Sequence, residues 1–202
     1  MPEKVLVTTN VDHMDLGALK GAADLVQGDD ANVPLSRRDV LDRLGDVVAI
    51  VNQNELRIDA ALLEAAPRLR LVANTTAGFD NMDLAAMTAA GVWGSNCPSQ
   101  FAAATADHVL CLILALVRRL READAYVRSG RWPNAGWTPG AWAGTRLEGK
   151  TLGIVGLGRI GQEVAKRAAA FGMVVRFHDS ARREAEGFLE LDDLFATSDI
   201  LT

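Results

Sequence analysis

The sequence predicts an α/β fold made of two successive units, each built on a parallel sheet. Short apolar runs alternate with capped helical segments over residues 1–97, which is typical of a parallel sheet with helices on both faces. Over residues 150–179 a strand, a glycine-rich turn, a helix and a second strand follow one another. A long helical segment without Gly or Pro separates the two patterns.

The first unit is predicted to contain four buried strands joined by helices. The apolar runs that form these strands lie at residues 5–8, 47–51, 69–73 and 92–94. The helices between them are expected to begin at side chains that can accept a backbone hydrogen bond: Ser36, paired with Asp39 as in a capping box, Asp59 and Asp83. We expect them to end at Gly45, before Pro67 and at Gly91.

The middle of the chain differs from the first unit in its composition. Residues 101–129 contain neither Gly nor Pro and would span roughly 40 Å as a single helix, at about 1.5 Å per residue. The middle of this segment is apolar nearly all round, so it must be buried on several sides. The following stretch, 130–149, holds Trp132, Trp137 and Trp142 among Gly and Pro. Together they favour a subunit interface, and internal packing against the second unit is the alternative.

The second unit opens on a glycine motif. An apolar run over 152–155 leads directly into residues 156–161, Gly-Leu-Gly-Arg-Ile-Gly, which begin an amphipathic helix. Gly156 permits a tight turn, Gly158 allows a pyrophosphate to approach the main chain, and Gly161 allows the helix to pack close to the strand. The helix N-terminus offers free N–H groups to the phosphates. This context predicts a Rossmann dinucleotide-binding unit, whereas a tight turn without a ligand is the alternative.

An acidic residue at the end of the next strand predicts which dinucleotide binds. Asp179 lies near the spacing expected of the acid that binds the adenosine ribose hydroxyls. A carboxylate about 4 Å from the extra phosphate of NADP would repel it by several kcal/mol per unit charge at an intermediate dielectric. Arg182 and Arg183 follow closely and would reduce this repulsion unless they form a solvated basic loop. The sequence therefore favours NAD over NADP.

Composition excludes several other classes of function. The chain has 202 residues and a formal net charge of −5, without a basic block that would attract nucleic acid or an anionic membrane. The longest apolar run, 109–117, is too short to span a bilayer. We therefore expect a cytoplasmic protein without a nucleic-acid or membrane partner, and the sequence offers no metal-binding spacing.

Motifs along the whole chain resemble those of one family. They are TAGFDNMD at 76–83, Gly91-Val92 with Asn96 and Pro98, TADH at 105–108, Arg131-Trp132, and LEGKTLG at 147–153, followed by the glycine motif. In order and spacing the chain resembles the D-isomer-specific 2-hydroxyacid dehydrogenases over essentially all 202 residues. One departure is Asp107, at a position where the family usually has Glu.

The resemblance implies the domain organisation. Residues 1–97 would form a flavodoxin-like substrate (lid) domain that lacks its usual C-terminal helix. Residues 98–202 would form the first half of a truncated Rossmann NAD-binding domain. Within it, the helix and loop of about residues 101–149 would join two copies into a homodimer.

The resemblance also implies site residues. The backbone N–H groups of Ala77 and Gly78 would bind the substrate carboxylate, and an ordinary strand-to-helix turn is the alternative. Thr105 would touch the nicotinamide end of the cofactor. The backbone of Arg159 and Ile160 would meet the pyrophosphate, together with Gly156, Gly158, Gly161 and Asp179.

The implied activity is NAD-dependent interconversion of a small 2-keto acid and its D-2-hydroxy acid by hydride transfer. The family's catalytic Arg, Glu and His have no match before Thr202, so no catalytic residue is assigned and this chain alone is expected to be inactive. Two alternatives remain open. One is a non-catalytic, NAD-responsive scaffold like the family's corepressors, and the other is a phosphite- or formate-type dehydrogenase. Ala77 argues against the latter because it offers no charge to an inorganic oxyanion.

Overall fold

The computed structural model describes residues 2–9, 15–28, 30, 32–135 and 138–202. The chain divides into two compact units, residues 1–100 and 101–202. The predicted boundary lies three residues earlier, after residue 97. Trp137, one of the three tryptophans in the predicted interface loop, lies outside the described residues. None of the described helices is both long enough and apolar enough to cross a membrane.

The described part of the first unit contains a five-stranded parallel sheet. Its strands are β1 (Glu3–Val7), β2 (Ala23–Val26), β3 (Val47–Asn52), β4 (Leu71–Asn74) and β5 (Trp93–Ser95). The order β2-β1-β3-β4-β5 is that of flavodoxin-like folds, as predicted. The four predicted strands are confirmed to within two residues at each end. The strand β2 was missed because its four residues are only partly buried and include an acid, so the apolar signal is weak.

Three helices of the first unit begin where their capping side chains predict. They are α1 (Arg37–Leu41), α2 (Ala60–Ala65) and α3 (Leu84–Ala90), and Ser36, Asp59 and Asp83 each accept a hydrogen bond from a first-turn N–H. Gly91 ends α3 in the left-handed conformation, with φ of 69°. The expected end of α1 at Gly45 is wrong. The helix stops at Leu41, and a 3-10 turn at Leu44–Asp46 places the Leu44 side chain in the core.

The core of the first unit lies on one face of its sheet. Leu6, Ile50 and Val72 are neighbours across three strands and pack with α1, α2 and α3. On the opposite face, Leu71 is 38% exposed and its neighbour Trp93 is 78% exposed. Helices on both faces were predicted, but among the described residues the helices α1 to α3 cover only one.

The predicted single helix over residues 101–129 is wrong, because the segment forms two helices. The first is α4 (Ala102–Val117) and the second is α5 (Leu120–Arg128). Between them Arg119 adopts a left-handed conformation with φ of 53°. The Arg119 guanidinium donates hydrogen bonds to Glu122, at 2.8 Å from Nε, and to the Ala141 carbonyl at 3.0 Å. These bonds hold the break in place.

A returning segment of the chain caps the end of α4. The Thr145 N–H donates to the Val117 carbonyl at 2.8 Å. The approach requires Gly144, since a Cβ there would lie only 2.4 Å from the Val117 oxygen. A short helix, α6 (Trp132–Ala135), lies between these two segments in the chain. The end of α4 therefore depends on a hydrogen bond between residues 117 and 145, which are far apart in sequence, and not on a nearby Gly or Pro.

The described part of the second unit ends in a small parallel sheet. Its strands are β6 (Thr151–Val155), β7 (Val174–His178) and β8 (Ile200–Leu201), in the order β7-β6-β8, with helices α7 (Arg159–Ala170) and α8 (Leu191–Thr197). Phe188 forms a single parallel bridge with Phe177 on the free side of β7. If the bridge at Phe188 is counted as a short strand and the strands of this unit are numbered 1 to 4 along the chain, their order in the sheet is 3-2-1-4. This is the strand order of a Rossmann fold. The predicted Rossmann-like fold of this unit is confirmed.

Candidate functional site

The glycine turn after β6 contains three glycines, of which the fold requires two and does not require the third. Gly156 has φ of 95°, and its N–H donates to the His178 carbonyl at 2.8 Å. A Cβ on Gly161 would lie 2.2 Å from the Gly156 oxygen, so the close packing of helix on turn excludes any side chain there. A Cβ on Gly158 would meet no atom of the described residues within 4 Å. The protein's own packing leaves Gly158 free to carry a side chain, and its surface is open to a ligand.

The N-terminus of α7 is a ready donor site for an anion. Gly158 is the N-cap residue and, unlike α1, α2 and α3, α7 has no side-chain cap. The first helical hydrogen bond runs from the Gln162 N–H to the Gly158 carbonyl at 3.0 Å. The N–H groups of Arg159, Ile160 and Gly161 donate to no atom in the described parts of the chain. Free N–H groups and the helix dipole suit a phosphate at this end.

Asp179 lies directly beside the glycine turn. Its Oδ2 atom accepts a hydrogen bond from the Leu157 N–H at 2.8 Å, and its Oδ1 atom accepts one from the Ala181 N–H at 2.9 Å. Each carboxylate oxygen retains a lone pair for a further donor, such as a ribose hydroxyl. Arg183 is directed to Glu190 at 3.3 Å. The structure therefore brings Asp179 together with the glycine motif, as an adenosine site requires.

Thr105 and Asp107 lie on α4. Thr105 is half-buried, and its side chain makes no hydrogen bond to any residue that the structure describes. Asp107 Oδ1 accepts from Arg167 Nε at 2.5 Å, and Arg167 also pairs with Glu163. The hydrogen bond to Asp107 is the main cause that raises the pKa of Arg167, and the bond to Glu163 is the second. The bond from Arg167 in turn lowers the pKa of Glu163. Asp107 thus connects α4 with α7, a structural role within the second unit.

Polar side chains gather at the carboxyl ends of β1, β3 and β4 in the first unit. The Thr8 hydroxyl donates to the Glu55 carboxylate, and the amide of Asn52 donates to Asn74 Oδ1 at 3.2 Å. Asn52 and Asn74 are almost completely buried, so these bonds satisfy groups that water cannot reach. In flavodoxin-like sheets ligands bind outside this edge, at the point between β1 and β3 where the strand order reverses.

The loop that contains Ala77 and Gly78 leaves β4 at this edge. Asn96 Nδ2 donates to the Ala77 carbonyl at 2.7 Å, and Asn74 Nδ2 donates to the Gly78 carbonyl at 3.0 Å. The N–H groups of Ala77, Gly78 and Phe79 donate to no described atom. Sequence reasoning assigned no role to either asparagine. The signal for Asn74 was an amide side chain at the end of a buried strand, which needs several partners.

The predicted residues therefore fall into separate groups. The residues of the second unit that lie close together are Gly156, Gly158, Arg159, Ile160, Gly161 and Asp179. Ala77 and Gly78 belong to the first unit. Among the residues described, no group of three or more His, Cys, Asp or Glu side chains is placed to hold a metal ion.

Comparison with known proteins gives consistent matches. Residues 110–202 match the family model described as the D-isomer-specific 2-hydroxyacid dehydrogenase, NAD-binding domain. A glyoxylate reductase of Thermococcus onnurineus (strain NA1) is 40% identical over 209 residues, which cover 100% of this chain and 62% of the relative. The chain thus spans 62% of the length of this relative and of a second glyoxylate reductase, from Thermococcus kodakarensis.

Solved structures agree with these matches. The crystal structure of the TT0316 protein from Thermus thermophilus superposes with a TM-score of 0.88 and 36% identity, covering 98% of this chain and 63% of that one. A D-lactate dehydrogenase from Aquifex aeolicus, complexed with NAD and lactic acid, gives a TM-score of 0.79 at 26% identity, covering 98% of this chain and 59% of that one.

Proposed function

We propose a function from one established premise: the chain belongs to the D-isomer-specific 2-hydroxyacid dehydrogenase family. Its second unit is the NAD-binding domain of that family, and NAD is its cofactor. The protein that contains this chain is an oxidoreductase that interconverts a small 2-keto acid and its D-2-hydroxy acid. In this proposal residues 1–97 bind the substrate and residues 98–202 bind the adenosine half of NAD.

The geometry at Gly158 carries the cofactor proposal. This glycine is not required by the packing around it, yet it stands at an uncapped helix N-terminus beside Asp179. A pyrophosphate seated against Gly158 would accept hydrogen bonds from the N–H groups of Arg159 and Ile160. Asp179 would accept bonds from the ribose hydroxyls and repel a 2′-phosphate, which supports NAD over NADP. Thr105 is proposed to contact the nicotinamide end.

The substrate proposal rests on the loop of Ala77 and Gly78. The free N–H groups of this loop would bind the carboxylate that all 2-keto acids share. Glyoxylate is the first substrate to test, because the similar Thermococcus protein is named a glyoxylate reductase. When bound, NADH supplies the hydride that reduces the keto carbon. In this proposal the described residues of the chain bind and orient the two reactants, and no proton-transfer role is assigned to any of them.

A substrate panel tests this proposal. The protein that contains the chain should oxidise NADH, measured by loss of its absorbance, with glyoxylate, hydroxypyruvate or pyruvate. The 202-residue chain alone should bind NADH, measured by fluorescence, without oxidising it. NADH oxidation by the isolated chain would refute the assignment of catalysis to residues outside it. Turnover only with phosphite or formate, or NAD-dependent capture of a peptide partner without turnover, would favour one of the two alternatives.

We also propose that the protein is a homodimer joined through the segment 101–149. Leu112 and Leu116 on α4 are 51% and 77% exposed, and Val127 on α5 is 56% exposed. Apolar side chains that are this exposed on neighbouring helices support an interface with a second copy, which is how the family resemblance assigns this segment. A cytoplasmic location remains a prediction from the sequence.

A further inference from the structure

We propose that Asn74 and Asn96 are positioning residues, which orient the backbone N–H groups of residues 77–79 toward the substrate carboxylate. This stretch is called the carboxylate loop below. The inference deepens the proposed function and rests on it. The two side-chain amides would hold the loop in its conformation without contacting the substrate themselves.

The two amides and one main-chain group hold three consecutive carbonyls. Cys97 N–H donates to the Thr76 carbonyl at 2.8 Å, Asn96 Nδ2 donates to the Ala77 carbonyl at 2.7 Å, and Asn74 Nδ2 donates to the Gly78 carbonyl at 3.0 Å. Every carbonyl that precedes an N–H of the carboxylate loop is therefore anchored.

Anchoring a carbonyl also orients the N–H of the next residue. A trans peptide unit is planar, and its C=O and N–H point in opposite directions. Fixing the carbonyls of Thr76, Ala77 and Gly78 therefore turns the N–H groups of Ala77, Gly78 and Phe79 away from the groups that hold them. Ala77 and Phe79 are exposed, and these N–H groups have no described acceptor. Successive free N–H groups suit an anion such as a carboxylate.

The two asparagines differ in how deeply they are embedded. Asn74 is 2% exposed and also contacts the side chains of Asn54 and Asn81 at 3.2 and 2.8 Å. A change at Asn74 would therefore disturb a buried network as well as the loop. Asn96 is only half-buried, and its side chain makes one hydrogen bond, to Ala77, within the part of the chain that is described. Asn96 is accordingly the better position for a test.

The test uses the complete protein that contains this chain and three variants. Asn96→Ala removes the donor without adding charge. Asn96→Asp keeps the shape and replaces the donor by a carboxylate that repels the Ala77 carbonyl. Gln100→Glu is the matched control, because it makes the same amide-to-carboxylate change at an exposed side chain with no hydrogen bond among the described residues. Asn74→Asp, with its melting temperature recorded, is a second probe of the same loop.

The readouts separate positioning of the carboxylate from general damage. Both Asn96 variants should raise KM for glyoxylate and the inhibition constant of oxamate by about tenfold, the loss expected when one charge-assisted hydrogen bond is misaligned. The dissociation constant of NADH should stay within about twofold of wild type, since the carboxylate loop lies in the other unit. Reduction of methyl glyoxylate, which has no carboxylate, should also change by less than about twofold. Gln100→Glu should match wild type throughout.

Two results would overturn the inference while leaving the proposed function intact. One is an unchanged KM for glyoxylate in both Asn96 variants. The other is an equal loss for the acid and its ester, which would indicate ordinary structural damage. A wild-type protein that neither reduces a 2-keto acid nor binds oxamate in the presence of NADH would overturn the proposed function, and the inference would fall with it.

Discussion

Replacing Gly158 by alanine should separate cofactor binding from folding. Gly158 has φ of −73° and ψ of −160°, a conformation that alanine adopts without strain. The added Cβ would meet no atom within 4 Å in the part of the chain that the structure describes. We therefore expect Gly158→Ala to fold normally. A strain-free Gly-to-Ala change typically stabilises by about 0.4–1 kcal/mol, because it restricts the unfolded chain. For about 200 residues this corresponds to a melting temperature that is about 1–4 °C higher.

The same methyl group should be costly once NAD binds. It occupies the space through which a pyrophosphate reaches the N–H groups of α7. Displacing the phosphate weakens at least one hydrogen bond to a charged acceptor, which contributes about 1.5–3 kcal/mol. The dissociation constant for NADH should therefore rise by about 10- to 100-fold.

Gly161→Ala is the companion variant, and we expect it to destabilise the fold where Gly158→Ala does not. Its Cβ would lie 2.2 Å from the Gly156 carbonyl oxygen and 3.3 Å from the side chain of Ile154. Because α7 would have to move away from the turn, we expect a loss of about 1–3 kcal/mol in the free energy of unfolding. NADH binding should weaken as a consequence of that movement.

Thermal unfolding without nucleotide and fluorescence titration with NADH measure the two effects independently. Wild-type NADH affinity in Gly158→Ala would refute the placement of the pyrophosphate. A melting temperature of Gly158→Ala as low as that of Gly161→Ala would refute the argument from packing.

Three further predictions follow from the second unit. Asp179→Ala should shift the NADP-to-NAD affinity ratio toward NADP by at least about tenfold, since the repelling carboxylate is gone; unchanged selectivity in nucleotide titrations would remove Asp179 from this role. Leu116→Glu should lower the molar mass in sedimentation from dimer to monomer without lowering the melting temperature, because this side chain is 77% exposed; a persistent dimer would contradict the proposed interface. In the folded chain two hydrogen bonds hold the pKa of Asp199 below its usual value of 3.8, mainly the one from Lys150 and then the one from the Thr151 N–H. This contribution is present at neutral pH and lost as the pH falls through the folded pKa, so Asp199→Asn should lower the melting temperature near neutrality and have little effect well below pH 3.8; a difference that persists in acid would contradict the assignment.

Features that depend on neighbouring residues were predictable from the sequence. Asp59 and Asp83 each bond an N–H three residues later, so a single side chain and its own backbone decide where the helix begins. The glycine turn was predictable for the same reason. Its conformation is set by Gly156, and its packing by an approach to Gly161 only five residues away.

Features that depend on distant contacts were not predictable. The break at Arg119 occurs in a run of strong helix formers, and its partner is the Ala141 carbonyl, 22 residues later. Intrinsic propensity favoured one continuous helix, but the returning chain supplied a competing set of hydrogen bonds at the end of α4. Gly144, which permits that return, resembled any other loop glycine until the approach to Val117 was visible.

The carboxylate loop contains both kinds of information. Its donors are backbone N–H groups, which every residue except proline carries, so only the adjacent glycine and the wider motif pointed to them. The groups that hold the loop are side-chain amides, and which carbonyl each amide reaches depends on how distant segments of the chain pack together. Asn96 reaches Ala77 across 19 residues because β5 lies beside β4, and the Cys97 N–H reaches Thr76 through the same pairing. A substitution in β5 that shifts its register against β4 should therefore impair carboxylate binding without touching the loop. This dependence on the sheet explains why the role of Asn96 could not be predicted from the sequence.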